Sequence, residues 1–136
     1  MSKKLLFISI LFSSFAFAEI SFVPYAKAAS YLGKGKPVML EVGTKDCAGC
    51  KAMHAVLAPY VKKHPSYRIF YVNVNEKLGK RAVLDTRPRK TVGDTLVIGG
   101  YPVQVFYDKN GREVYRHSGV LTEAQLNSIC NKLGFK

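Results

Sequence analysis

The sequence has no tryptophan, only three cysteines and only nine acidic residues among its 136 residues. Three cysteines are too few, and odd in number, for the disulfide framework of a small secreted domain, so the fold needs a hydrophobic core. The shortage of acidic residues against 21 Lys and Arg leaves a formal charge of +12. No internal repeat or low-complexity tract is present, and the length suits one domain.

The beginning of the chain has the three-part layout of a secretory signal peptide. Lys3 and Lys4 precede an apolar run, and an Ala-x-Ala sequence ends at Ala18. The run is shorter than the ~20 apolar residues of a membrane-spanning helix, so cleavage is favoured over a retained membrane anchor. We therefore expect a signal peptide at 1–18 and a mature domain at 19–136, located in the periplasm or otherwise exported.

The basic charge suggests no nucleic-acid partner. Removal of the two signal lysines lowers the formal charge from +12 to +10. Exported proteins rarely meet nucleic acid, and the basic residues here are scattered and not interleaved with aromatic side chains. A solvated basic surface is the favoured interpretation, and an acidic protein partner or a transient contact with an anionic membrane surface are the alternatives.

The reactive groups of the chain are concentrated in the segment Cys47-Ala-Gly-Cys50. An apolar run at 37–42 has the length and composition of a buried strand, and residues 53–61 carry apolar side chains at helical spacing. The two cysteines therefore lie where a strand ends and a helix begins. Because a helix start stabilises an anion, Cys47 is expected to form a thiolate and attack, and Cys50 to resolve the mixed disulfide.

The first half of the chain predicts a βαβ unit. Residues 25–32 fit a short amphipathic helix, and the aromatic and β-branched run at 67–74 fits a second strand, parallel to the first. A polar, moderately helical segment is predicted at 75–84. The turn-rich segment at 85–94 is interpreted as an exposed basic loop, either a solvated insertion or a partner contact.

The last third predicts a hairpin and a closing helix. Residues 103–107 and 113–117 alternate as strands on either side of an Asp-Lys-Asn-Gly turn. Thr122 and Gln125 have the spacing of a capping box at the start of the final helix. Cys130 falls on the apolar face of that helix, so we interpret it as an inert core thiol and not as a third redox cysteine.

The order of these elements, with Cys-x-x-Cys-Lys at a helix start and Gly-Gly-Tyr-Pro-Val before the hairpin, resembles the thioredoxin family, specifically its exported thiol-disulfide oxidoreductases. The resemblance covers about residues 26–133. A Cys-x-x-Cys pair alone suits either zinc or redox chemistry, and the βαβ context favours redox. The resemblance implies a thioredoxin-like α/β fold. Its central mixed sheet would combine a parallel βαβ half with a C-terminal antiparallel hairpin, with helices on both faces. It also implies a monomeric enzyme without a cofactor that acts on protein thiols and disulfides.

The resemblance also implies roles for individual residues. Cys47 and Cys50 match the attacking and resolving cysteines of the family. Glu41 falls where the family has a buried acid that takes the proton of the second thiol, and burial of a carboxyl raises its pKa as such a base requires. Pro102 falls at the family's cis-proline, which with Tyr101 would present backbone to the substrate.

The direction of electron transfer is less constrained by the sequence. Asp46 replaces the aromatic residue that commonly precedes the first cysteine, and its charge is expected to raise the Cys47 pKa, so reductase, isomerase and oxidase all stay open. We favour a dithiol reductase, because Glu41 assists the resolving thiol and no oxidase insertion or dimerisation domain is evident. In an oxidising compartment a reductase needs electrons, which the family obtains from a membrane thiol protein.

A copper-handling chaperone is the alternative from a different functional class. Cys47, Cys50, Met53 and His54 are soft or borderline ligands on the first two helical turns and would suit Cu(I). Two features argue against this alternative. The copper-binding relatives space their cysteines further apart, and Met53 lies on the apolar face of the helix. We therefore assign no metal ligands in the favoured interpretation.

Overall fold

The computed structural model describes residues 21–78, 91–96 and 98–136. The predicted signal peptide lies outside these residues. The described parts of the chain form four helices and four strands. The helices are α1 (Tyr25–Ala29), α2 (Ala48–Lys63), α3 (Val92–Leu96) and α4 (Glu123–Leu133), and the strands are β1 (Val38–Gly43), β2 (Arg68–Asn73), β3 (Val103–Tyr107) and β4 (Glu113–Ser118).

The four strands form one mixed sheet in the order β2-β1-β3-β4. β1 is parallel to β2, as the βαβ interpretation predicts, and β3 is antiparallel to both of its neighbours. The thioredoxin-like α/β prediction is therefore confirmed. β1 is central, and all six of its residues are buried. This agrees with the nearly continuous apolar sequence of that strand, because a strand covered on both faces does not need to alternate.

Helices cover both faces of the sheet, as predicted. One apolar cluster joins the sheet to α1 and α3, and the other joins it to α2 and α4. The side chains that α2 contributes to the second cluster are Met53, Leu57 and Tyr60, which are among the predicted apolar positions. Because successive side chains of a strand point to opposite faces, the odd-numbered residues of β1 share their face with α2.

The closing helix begins and ends as predicted. The Thr122 hydroxyl accepts the Gln125 N–H, and the Gln125 side chain accepts the Thr122 N–H, which completes a capping box. Gly134 follows the helix with a φ of 76°, a left-handed conformation that favours glycine. Cys130 is a free cysteine with no exposed surface, so its predicted position in the core is confirmed.

The first helix is shorter than the prediction of 25–32. It ends at Ala29, and turns carry the chain to Gly33, whose φ is 70°. A residue distant in sequence stabilises its first turn, since the Glu76 carboxylate accepts the Tyr25 N–H at 2.9 Å. Among the described residues, no helix is both long enough and apolar enough to cross a membrane.

The segment predicted as helical at 75–84 begins with a turn. The Asn75 N–H donates to the Asn73 side-chain oxygen at 2.9 Å, a local bond that competes with helix formation. The prediction is therefore wrong for residues 75–78, and the remainder lies outside the described residues.

The structure also differs from the prediction at the end of the basic loop predicted at 85–94. Its first six residues lie outside the described residues, but α3 begins at Val92, which is fully buried. The Asp94 N–H donates to Thr91 Oγ1 at 3.1 Å, and the Thr91 N–H donates to Asp94 Oδ2 at 3.1 Å. Thr and Asp favour turns in sequence, but this reciprocal pair starts a helix, and the exposed-loop prediction is wrong there.

Candidate active site

The two cysteines of the Cys-x-x-Cys segment form a disulfide at the start of α2, with their Cα atoms 5.1 Å apart. Cys47 is the N-cap of the helix, and its Sγ accepts the Cys50 N–H at 3.0 Å. The sulfur thus takes the place that a Ser or Asp oxygen commonly occupies at an N-cap. It lies at the positive end of the helix dipole, which favours a thiolate once the disulfide is reduced.

The two sulfurs differ in their accessibility. Cys50 has no exposed surface, whereas Cys47 is half-buried. Cys50 Sγ accepts the Thr44 N–H at 3.4 Å and lies so close to Gly43 that a Cβ there would be 2.8 Å from it. Cys47 is therefore the sulfur that a protein partner can reach. Cys50 is buried and can react only with the neighbouring Cys47 sulfur.

The structure brings the predicted proline to this disulfide. The Tyr101–Pro102 peptide bond is cis, as predicted, and the proline ring is buried. A Cβ on Gly49, between the two cysteines, would lie 3.1 Å from Pro102 Cδ, so the small residue permits this approach. Tyr101 is 48% exposed and stands at the rim of the same site.

Glu41 lies on the central strand β1, inside the fold. Its side chain has no exposed surface. It is two residues before Gly43 on β1, so both face α2, and Gly43 is the residue against which Cys50 Sγ rests. The predicted acid therefore lies on the face of the sheet against which the buried sulfur rests.

Burial dominates the ionisation of this acid. Desolvation raises the pKa of Glu41 from 4.5 to about 8, and the Gln104 side chain opposes the rise. Neither Glu41 carboxyl oxygen makes a hydrogen bond among the described residues. With a pKa of about 8, roughly one in ten molecules carries the ionised form at pH 7. Glu41 is thus able to hold a proton in the resting state and to exchange it near neutral pH.

The sequence interpretation missed Gln104. It is fully buried on β3, directly opposite Glu41 in the strand register. A signal for it was present, because Gln104 shares its strand face with the apolar Phe106 and is flanked by Val103 and Val105. A polar side chain on a buried face needs a hydrogen-bonding partner, so a polar residue at such a position is a candidate site residue.

The structure does not favour the copper alternative. Met53 is fully buried, and its Sδ accepts the Leu121 N–H at 3.2 Å, so it belongs to the core. The His54 ring packs edge-on against Tyr71, with ring centroids 4.0 Å apart. Across residues 21–78, 91–96 and 98–136, no group of three or more His, Cys, Asp or Glu side chains is arranged to hold a metal ion.

The fold and a Cys-x-x-Cys pair at disulfide distance define this protein as a thiol-disulfide oxidoreductase. A family model described as a thioredoxin-like domain matches residues 25–134, and the chain belongs to that family. A search of curated protein sequences returned no significant match.

Solved thioredoxin structures have the same fold at low sequence identity. Thioredoxin from Fasciola hepatica is 18% identical with a TM-score of 0.56, and the match covers 74% of this chain and 84% of that one. Thioredoxin f2 from Chlamydomonas reinhardtii is 18% identical with a TM-score of 0.61, covering 83% and 94%. A chloroplastic thioredoxin z is 15% identical with a TM-score of 0.62, covering 85% and 95%.

Proposed function

We propose that this protein is an exported dithiol reductase of protein disulfides. The observation that carries the proposal is the asymmetry of the Cys47–Cys50 pair: an accessible sulfur at a helix start, and a buried sulfur on the same side of the sheet as a buried acid. The accessible sulfur suits attack on an external disulfide, and the buried sulfur suits an internal second step.

In the forward reaction two electrons pass from the dithiol to the substrate. The Cys47 thiolate attacks one sulfur of the substrate disulfide, that S–S bond breaks, and the other substrate sulfur leaves as a thiolate. Cys50, after losing its proton, attacks Cys47 in the mixed disulfide. The Cys47–Cys50 bond forms, and the second substrate sulfur leaves as a thiolate, so the substrate is reduced and the protein is oxidised.

Glu41 supplies the proton transfer for the buried thiol. Its ionised form takes the Cys50 proton before the second step, and the resulting neutral carboxyl is the form that burial favours. When a donor thiolate later attacks Cys47 to recharge the protein, the protonated Glu41 returns the proton to the leaving Cys50. One carboxyl therefore serves as base in one half of the cycle and as acid in the other.

Tyr101 and Pro102 form the edge against which a substrate segment rests. Pro102 is buried against the Cys-x-x-Cys turn, whereas Tyr101 is about half exposed, so the substrate meets the Tyr101 side chain and backbone beside Cys47. The partners expected at this edge are proteins with disulfides, together with a membrane thiol protein that recharges Cys47 with electrons.

The reduction potential of the Cys47–Cys50 couple tests the direction of electron transfer. The mature chain from Glu19 onward is equilibrated with a dithiothreitol series, and free thiols are counted after alkylation. A value at or below about −270 mV supports a reductase, whereas a value near about −120 mV would make the protein a disulfide donor and overturn the proposal.

Export is tested separately from the chemistry. The full chain is produced in a bacterium, and the mass of the protein from the periplasmic fraction is compared with that of a variant in which Ala16 and Ala18 are replaced by bulky residues. The parent is expected to begin at Glu19 and the variant to keep its leader. Retention of the parent in the cytoplasm with an intact N-terminus would contradict export.

A further inference from the structure

Four polar side chains form a row across the sheet on the face that α2 and α4 cover. The strand register places Tyr71, Glu41, Gln104 and His117 opposite one another, one from each strand in the order β2-β1-β3-β4. Directly opposed residues have Cβ atoms about 4.5–5.5 Å apart, so each side chain neighbours the next. Tyr71, Glu41 and Gln104 are buried, and His117 at the sheet edge is half-buried.

Gln104 is held in place from the substrate side of the site. Its Nε2 donates to the Gly119 carbonyl at 3.0 Å, and the Gly119 N–H donates to the Pro102 carbonyl at 2.9 Å. A chain of hydrogen bonds therefore runs from the proline at the disulfide to the residue opposite Glu41. A carboxamide nitrogen carries two N–H groups, so the bond to Gly119 leaves one for a neighbour.

We propose that Gln104 is a positioning residue that holds Glu41 against Cys50 and donates an N–H to its carboxylate once that acid ionises. This inference rests on the proposed role of Glu41. An ionised carboxylate in a dry site needs a donor, and Gln104 is the amide that the register puts beside it. Without Gln104, burial would reduce the ionised fraction of Glu41 at neutral pH still further, and less of the base that accepts the Cys50 proton would be present.

The other titratable groups around Glu41 come from the neighbouring elements. Tyr71 lies opposite it on β2, and the His54 ring packs against Tyr71. Cys50 of α2 rests against Gly43, two residues further along the same face of β1. Burial raises the pKa of Tyr71, so its hydroxyl stays neutral while Glu41 titrates. His117 lies on the far side of Gln104. The Gln104 side chain lowers the Glu41 pKa against the effect of burial, which agrees with the register that places the two residues opposite each other.

The test measures the ionisation of Glu41 directly in the oxidised protein. The carboxyl carbon of Glu41 is observed by ¹³C NMR over a pH series in the parent and in Gln104→Met, which keeps the side-chain volume and removes the amide. The midpoint is expected to rise by at least about one pH unit in the variant. Met39→Leu, an apolar change on the same face of β1, is the matched control and should leave the midpoint in place.

A midpoint in Gln104→Met equal to that of the parent would overturn the inference. A second measurement needs no variant: the side-chain ¹⁵N–H signals of Gln104 in the parent should titrate with the midpoint of Glu41. If those signals do not move over the range in which Glu41 titrates, the inference also fails, even where the variant does not fold.

These readouts are independent of turnover. If the protein proved not to be a reductase, both titrations would still report on Gln104 and Glu41. If turnover behaved as proposed while the titrations failed, only this inference would fall. In exchange assays, the pH–rate profile of Gln104→Met is expected to move to higher pH, whereas a purely structural role would lower the rate at every pH.

Discussion

Replacing Glu41 with Gln should remove a large pH dependence of stability. The folded protein binds the Glu41 proton more tightly than the unfolded chain does, because burial raises its pKa from 4.5 to about 8. The stability linked to this group is therefore fully present below pH 4.5 and is lost as the pH rises through about 8. At about 1.36 kcal/mol per pH unit, the difference corresponds to about 5 kcal/mol. Glu41→Gln has no proton to lose and should not show this decline.

The assay is urea unfolding of the oxidised parent and variant at a series of pH values, with free energies obtained by linear extrapolation. The free-energy difference between the two proteins should change by about 5 kcal/mol between acidic and alkaline pH, in favour of the variant at alkaline pH. Glu123→Gln is the control, since it loses an exposed ion pair with Lys63 that is worth about 1 kcal/mol or less. Parallel curves for the parent and Glu41→Gln would refute the reasoning, because they would mean that Glu41 titrates normally in the fold.

Four other substitutions test the site and its support. Cys47→Ser should abolish thiol exchange, whereas Cys50→Ser should keep the attack and accumulate mixed disulfides visible by mass spectrometry; equal residual turnover would contradict the assigned order. Gly43→Ala places a Cβ 2.8 Å from Cys50 Sγ, so unfolding in urea should show a loss of about 1–3 kcal/mol, and an unchanged stability would argue against this packing. Thr122→Ala removes the capping-box hydroxyl and should lower stability by about 1 kcal/mol without changing the exchange rate, a result checked by thermal unfolding and a thiol-exchange assay.

The local sequence was sufficient where short-range rules decide the structure. Cys47 begins a helix because an apolar strand and then a helical apolar pattern flank it, and both features can be read from neighbouring residues. The capping box at Thr122 is visible in the same way. The exposed-loop prediction for 85–94 was wrong at the end of the segment, because Thr91 and Asp94 are residue types that favour both turns and helix starts. Only the packing of Val92 into the apolar cluster distinguishes the two outcomes.

The sequence by itself determined the redox pair, the order of the four strands and of α1, α2 and α4, and the residue type at each predicted site position. The tertiary structure alone decided which of these residues meet. Pro102 and Gly49 are more than fifty residues apart in the chain, and Gln104 reaches Glu41 only through the antiparallel register of β3 with β1. Burial, which raises the Glu41 pKa, is likewise a property of the assembled layers. Spacing along a chain specifies local conformation, whereas proximity and desolvation arise only when distant segments pack together.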